Sequence, residues 1–144
     1  MRQIFLIMSI GVLLYGAFNR DETGVVVDKL TGLVWQDDYS DNGNKIKQSS
    51  WQDALIYCQE LRLASSLDWR LPNIIELKSI RKTSNVRPAI DKIFQNTVGT
   101  YYWSSTTPIR NTSNAWRIDF YDGLSSETSK TDINYIRCVR GGEE

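Results

Sequence analysis

Apolar positions change their spacing several times along this chain, and each spacing predicts an element. Val25-Val26-Val27-Asp28-Lys29-Leu30-Thr31-Gly32-Leu33-Val34-Trp35 predicts two short strands around a turn at Thr31-Gly32. The polar stretch from Gln36 to Gln48, with Asn42-Gly43 inside it, predicts a surface loop. Trp51, Ala54, Leu55, Cys58 and Leu61 then fall on one face of a helix opened by Ser50 as N-cap, with Asp53 three residues on. A second helix begins behind Pro72, with Asn73 as N-cap, Glu76 as its reciprocal partner and Ile74, Leu77 and Ile80 as the inner stripe. From Thr83 the pattern is irregular, with Pro88 and a helical turn expected over 89–94. Strands follow at Tyr101–Ser105, Ala115–Tyr121, Leu124–Lys130 and Tyr135–Val139, the middle two joined at an Asp122-Gly123 hairpin turn. Helices early and strands late within one domain define the α+β class.

Ahead of this pattern, residues 4–18 form an apolar run behind Arg2, closed by polar Asn19-Arg20-Asp21-Glu22. Its length suits a signal peptide better than a bilayer span, which needs about 20 residues. Cleavage after Ala17 would place bulky Tyr15 where a small residue is preferred, so an uncleaved N-terminal anchor stays open. The expected organisation is a leader over 1–18 and a single domain over 19–144. The domain would be exported to the periplasm or the cell surface, touching a membrane only through an uncleaved leader. Cys58 and Cys138 stand too far apart, and are too few, to make a zinc site by themselves. An oxidising compartment favours one long-range disulfide between them, with two separate buried thiols as the other reading.

Charge and composition narrow the chemistry. Lys plus Arg and Asp plus Glu both number 17, and this balance gives no reason to expect nucleic acid as a partner. Histidine is absent, which removes the commonest general base and the commonest metal ligand. Five Trp and seven Tyr supply amphipathic rings that pack on one side and can contact a ligand on the other.

Several separated motifs, in order, resemble the Lcl C-terminal domain, a bacterial family of unknown function called after a collagen-like adhesin. They are Thr31-Gly32-Leu33-Val34-Trp35-Gln36; Trp51-Gln52-Asp53-Ala54 with Cys58; Asp68-Trp69-Arg70-Leu71-Pro72-Asn73 with Glu76-Leu77; Tyr102-Trp103-Ser104-Ser105; Ala115-Trp116 with Asp119-Phe120 and Gly123; and Tyr135-Ile136-Arg137-Cys138-Val139-Arg140. The resemblance implies a C-type-lectin-like fold related to the formylglycine-generating enzymes, with two helices packed on short twisted antiparallel sheets. It also implies a bond between Cys58 on the first helix and Cys138 on the last strand. The adhesin is known for binding sulfated glycosaminoglycans, but this chain has no Gly-X-Y tract, so collagen-driven multivalency does not carry over.

Weighed residue by residue, most of these motifs read as architecture. Asp68-Trp69-Arg70-Leu71-Pro72-Asn73 suits a rigid corner, with Trp69 in the core, Pro72 at a helix start and Arg70 partly buried against Asp68, Glu76 or Asp119. Trp35, Trp51, Trp103 and Trp116 are expected in the core. Asp38, Ser40, Asn42 and Gly43 imitate part of a calcium loop, but Ser49 stands where the ion needs a bidentate Glu, and no metal or organic cofactor is expected. Lys78, Arg81, Lys82, Arg87 and Lys92 make a local basic excess, with Lys78 and Lys82 on one face of the second helix and Arg81 beside it. Together with outward Tyr102, Arg117 and Tyr121, these residues are the candidate ligand surface for a glycan or surface-protein partner. The expected function is therefore an exported lectin-like binding module for sulfated or other anionic glycans. A structural or assembly subunit of an envelope complex is the alternative. An enzyme is not expected, because the related enzymes use a reactive cysteine pair and no His here can activate Ser or Cys. A carboxylate pair such as Asp119 and Asp122 has the residue type for acid–base chemistry on sugars, but sequence spacing does not set its geometry.

Overall fold

Val25, Val26 and Val27 are β-branched and stiff, and they pair antiparallel with Gln36, Trp35 and Val34. The turn between them is tied by Asp28, whose carboxylate accepts from Leu30 N and the Thr31 hydroxyl at 2.9 and 2.8 Å. Gly32 supplies the left-handed backbone, φ +74°. A computed structural model describes residues 17–85 and 87–142. Its elements are strands β1 (Phe18–Arg20), β2 (Val25–Asp28), β3 (Val34–Gln36) and β4 (Gln48–Ser49), then helices α1 (Trp51–Glu60) and α2 (Ile74–Ser79). Strands β5 (Tyr101–Trp103), β6 (Asn114–Asp119), β7 (Ser125–Ser129), β8 (Asn134–Tyr135) and β9 (Val139–Arg140) follow.

The strands form two small sheets, ordered β1-β2-β3-β9 and β4-β8-β5-β6-β7. The class is α+β, as expected, with one difference: β5 and β8 run parallel, so the second sheet is mixed. The expected leader lies outside the described residues except at its end. Phe18 belongs to β1, pairs with Asp28 and meets the Phe94 ring edge-on at 5.6 Å.

Both helices start where side chains can satisfy their free N–H groups. Ser50 Oγ accepts from Asp53 N, and Asn73 and Glu76 complete a reciprocal capping box. Buried Ala54 and Cys58 turn α1 onto Trp103, Ala115 and Ile136, while Leu77 and Ile80 join Trp35, Tyr102, Ile118 and Phe120 in a second cluster. Burying a side chain such as Leu77 contributes about 2 kcal/mol. Trp51 is half-buried rather than in the core: its indole N–H donates to Ser104 O, and the Lys130 ammonium lies 4.0 Å above its ring.

The last predicted strand is broken in two. β8 closes the second sheet, β9 the first, and Ile136-Arg137-Cys138 cross between them fully buried. Their backbone groups bond to loops and side chains instead of one ladder: Ile136 N donates to Lys47 O, Tyr39 Oη to Ile136 O, and Cys138 N to Gln36 Oε1. Cys138 bonds to Cys58 with their Cα atoms 5.5 Å apart, a closure spanning 80 positions. No helix among the described residues is long and apolar enough to cross a membrane.

Candidate functional site

Asp37, which follows β3, is fully buried between two guanidiniums. Arg137 Nη1 donates to it at 2.8 Å, Arg20 Nη1 donates to its other oxygen, and Gln95 N and Asn96 N add donors at 2.8 and 3.2 Å. Arg137 also donates to Asn96 O and Thr97 Oγ1, and stacks 4.7 Å from the Phe94 ring. Burial alone would lower the Arg137 pKa, but Tyr39, Tyr102 and Asp37 outweigh it and raise the value. The loop that imitates a calcium site therefore holds an internal ion pair through Asp37, and Asp38 accepts from Ser40 N at 3.0 Å.

The Asp68–Asn73 corner is a second polar frame. Arg70 grips Glu76 bidentately at 2.6 and 2.7 Å and donates to Gly141 O, while Asp68 pairs with Arg140 at 2.7 Å. Burial tends to raise the Glu76 pKa. The Arg70 fork and the Asn73 N–H together overcome that and hold the carboxyl below its usual range. Trp69 is buried with its indole N–H on Leu63 O, and buried Pro72 accepts from Ser105 N through its carbonyl.

Three expectations for the ligand surface and one for the core need correction. Tyr102 is not outward: it is 0% exposed, its hydroxyl accepts from Val98 N, and its ring meets Phe120 at 5.1 Å. Alternation left its direction open, and the core of the mixed sheet claims it. Lys78 and Lys82 do not share a helix face, because α2 stops at Ser79 and Arg81 enters a bridge with Ile90. Trp116 is half-buried at the edge of the core, while Trp35 and Trp103 are 0% exposed. Arg117 is half-buried and engaged, stacked 3.6 Å over Tyr101 and bonded to Ser126 Oγ and Asn134 Oδ1.

What the fold does assemble is a cationic face from the segment after α2. Lys82 N donates to Ala89 O and Ala89 N to Phe120 O, which lays this segment against the turn after β6. Arg81 reaches Gly123 O at 3.2 Å, and Arg87 lies 4.7 Å above the Tyr121 ring, itself 42% exposed. Arg87 has a left-handed backbone, φ +62°, a strain of about 1 kcal/mol that tertiary contacts must offset. Beside it opens a shallow groove of about 220 Å³, with Asn85, Arg87 and Lys92 over apolar Pro88, Ile90 and Phe94. Asp91 is the acid in the groove wall, paired with Lys82 at 3.4 Å. The basic run was visible in the sequence, but its closure onto Tyr121 is tertiary.

The face sets Arg87 and Lys92 beside exposed Tyr121 and an apolar-floored groove. Both cysteines are in the disulfide. Asp119 and Asp122 each accept a backbone N–H of their own turn, from Tyr121 and Leu124 at 2.8 and 2.9 Å. The molecule is thus an α+β module with a disulfide between its first helix and its C-terminal segment, and with a cationic, aromatic-backed face. A family model for the Lcl C-terminal domain matches residues 24–140, and the chain belongs to that family. No curated protein matches it.

Proposed function

We propose that this chain is an exported, lectin-like binding module whose cationic face holds anionic glycans, and that it works by recognition rather than catalysis. The observation that carries the reading is that Arg87 stands over Tyr121 and, with Lys92, lines the Asn85–Phe94 groove, while Arg81 reaches the neighbouring turn at Gly123 O. Sulfate and carboxylate groups suit guanidinium forks, and the apolar floor and tyrosine ring suit the C–H faces of sugar rings. Exposed charges each contribute little, so affinity depends on several acting together and weakens as salt screens them. The buried Asp37–Arg137 pair, with Arg137 stacked on the groove residue Phe94, favours a rigid scaffold behind the face, which lowers the ordering cost of binding.

The test is retention on a sulfated polysaccharide column beside its desulfated counterpart. The native chain should bind the sulfated matrix, and Arg87→Glu/Lys92→Glu should elute without retention while melting unchanged. Equal retention on both matrices, or retention unaffected by the double reversal, contradicts the proposal. A clean negative with a stable protein partner in pull-downs would favour an assembly subunit of an envelope complex instead.

A further inference from the structure

A second concavity, about 450 Å³, lies between the loop before β4 and the segment before β5. Its walls carry the carboxamides of Asn44, Gln48, Gln95 and Asn96, with Lys45 and the half-buried Tyr135 ring beside them. Among the described residues, no carboxylate lines it. Its volume falls in the range of small-ligand sites, roughly 300–1,000 Å³.

Two observations distinguish this groove from an ordinary polar surface. Its hydrogen-bonding capacity is largely open: the side-chain amides of Asn44, Gln48 and Gln95 and the Tyr135 hydroxyl bond to no described residue. Asn96 gives only its Nδ2, to Asp37 O at 2.6 Å. The wall is also fixed from behind. Asp37 accepts from the backbone of Gln95 and Asn96, Arg137 donates to Asn96 O and Thr97 Oγ1 at 2.6 and 2.8 Å, and both charged groups are buried. Tyr135 is braced by the Tyr102 ring at 5.7 Å.

A carboxamide presents a donor and an acceptor side by side without charge, which matches the paired hydroxyls of a sugar ring. An aromatic face offers a dry platform for that ring's C–H groups. We infer that this groove is a subsite for an uncharged sugar, with Gln48 and Gln95 as hydrogen-bonding residues and Tyr135 as the stacking surface. Its chemistry is separate from that of the cationic face, so either site can fail without the other.

The experiment titrates the isotope-labelled full chain with uncharged gluco-, manno-, galacto- and N-acetylglucosamine oligosaccharides. Roughly 0.5 M salt suppresses the cationic face. At least one series should shift amide resonances of residues 44–48, 95–98 and 135. Gln48→Ala/Gln95→Ala should weaken that binding about tenfold, the loss expected for two hydrogen bonds. Both glutamines are exposed, so an unchanged melting temperature checks that the variant is folded. Arg87→Glu/Lys92→Glu should bind the sugar like the native chain. The inference is overturned if none of the four series shifts these residues at millimolar concentration, or if the glutamine variant binds undiminished.

Discussion

A guanidinium shut away from solvent has to be answered by charge from within the protein, and Arg137 is answered by Asp37. Removing one partner of such a pair strands the other, at a cost of about 3–5 kcal/mol. Here Arg20 and two backbone N–H groups stay on Asp37 when Arg137 is removed, so Arg137→Met should lose about 1–3 kcal/mol in urea unfolding, and Arg137→Lys should recover only part of it, lacking the planar fork that reaches Asn96 and Thr97 together. A loss below about 1 kcal/mol for the methionine variant would contradict the assignment. The pairing was not legible beforehand. Arg137 stands in an apolar segment beside Cys138, and Asp37 opens a polar loop, yet sequence carries no signal joining two residues from opposite ends of the chain. Arg70 was easier, because Glu76 is near in sequence and already implied by the capping pattern. Tyr102 was harder, because a strand with both faces near a core lacks a clean alternation.

The elements that read well were those with a period and a cap. α1 and α2 show apolar stripes behind Ser50 and Asn73, and the β2–β3 hairpin shows its turn at Thr31-Gly32. β4, β8 and β9 are two residues each, too short for any period, so their pairing waits on tertiary contacts. α2 ends earlier than its stripe suggests because Ile80 serves as C-cap and Arg81 bridges to Ile90. Its cap makes a pH prediction. Folding depresses the Glu76 pKa below its unfolded value near 4.5, so its stabilisation is fully present above that pH and is lost as pH falls through the lower native value. Glu76→Gln should therefore reduce stability near neutral pH and make stability fall less steeply below about pH 4.5. Parallel urea titrations of native and variant chains measure this; identical slopes in the acid range would contradict it.

At the scale of the molecule, one covalent link and two polar frames hold two small sheets and two helices together. Closing a loop across 80 positions contributes about 4 kcal/mol on the chain-entropy account. Cys58→Ala/Cys138→Ala should lower the unfolding free energy by about that amount, and reduction of the native chain should do the same. The balance of 17 cations and 17 anions hides a local excess that only the fold gathers into a face. The most direct test is the affinity of the native chain for a sulfated oligosaccharide, measured from roughly 0.05 to 0.5 M salt. Affinity falling steeply with salt, and lost in Arg87→Glu/Lys92→Glu, is the predicted result. A salt-independent affinity, or one indifferent to those two reversals, would contradict it.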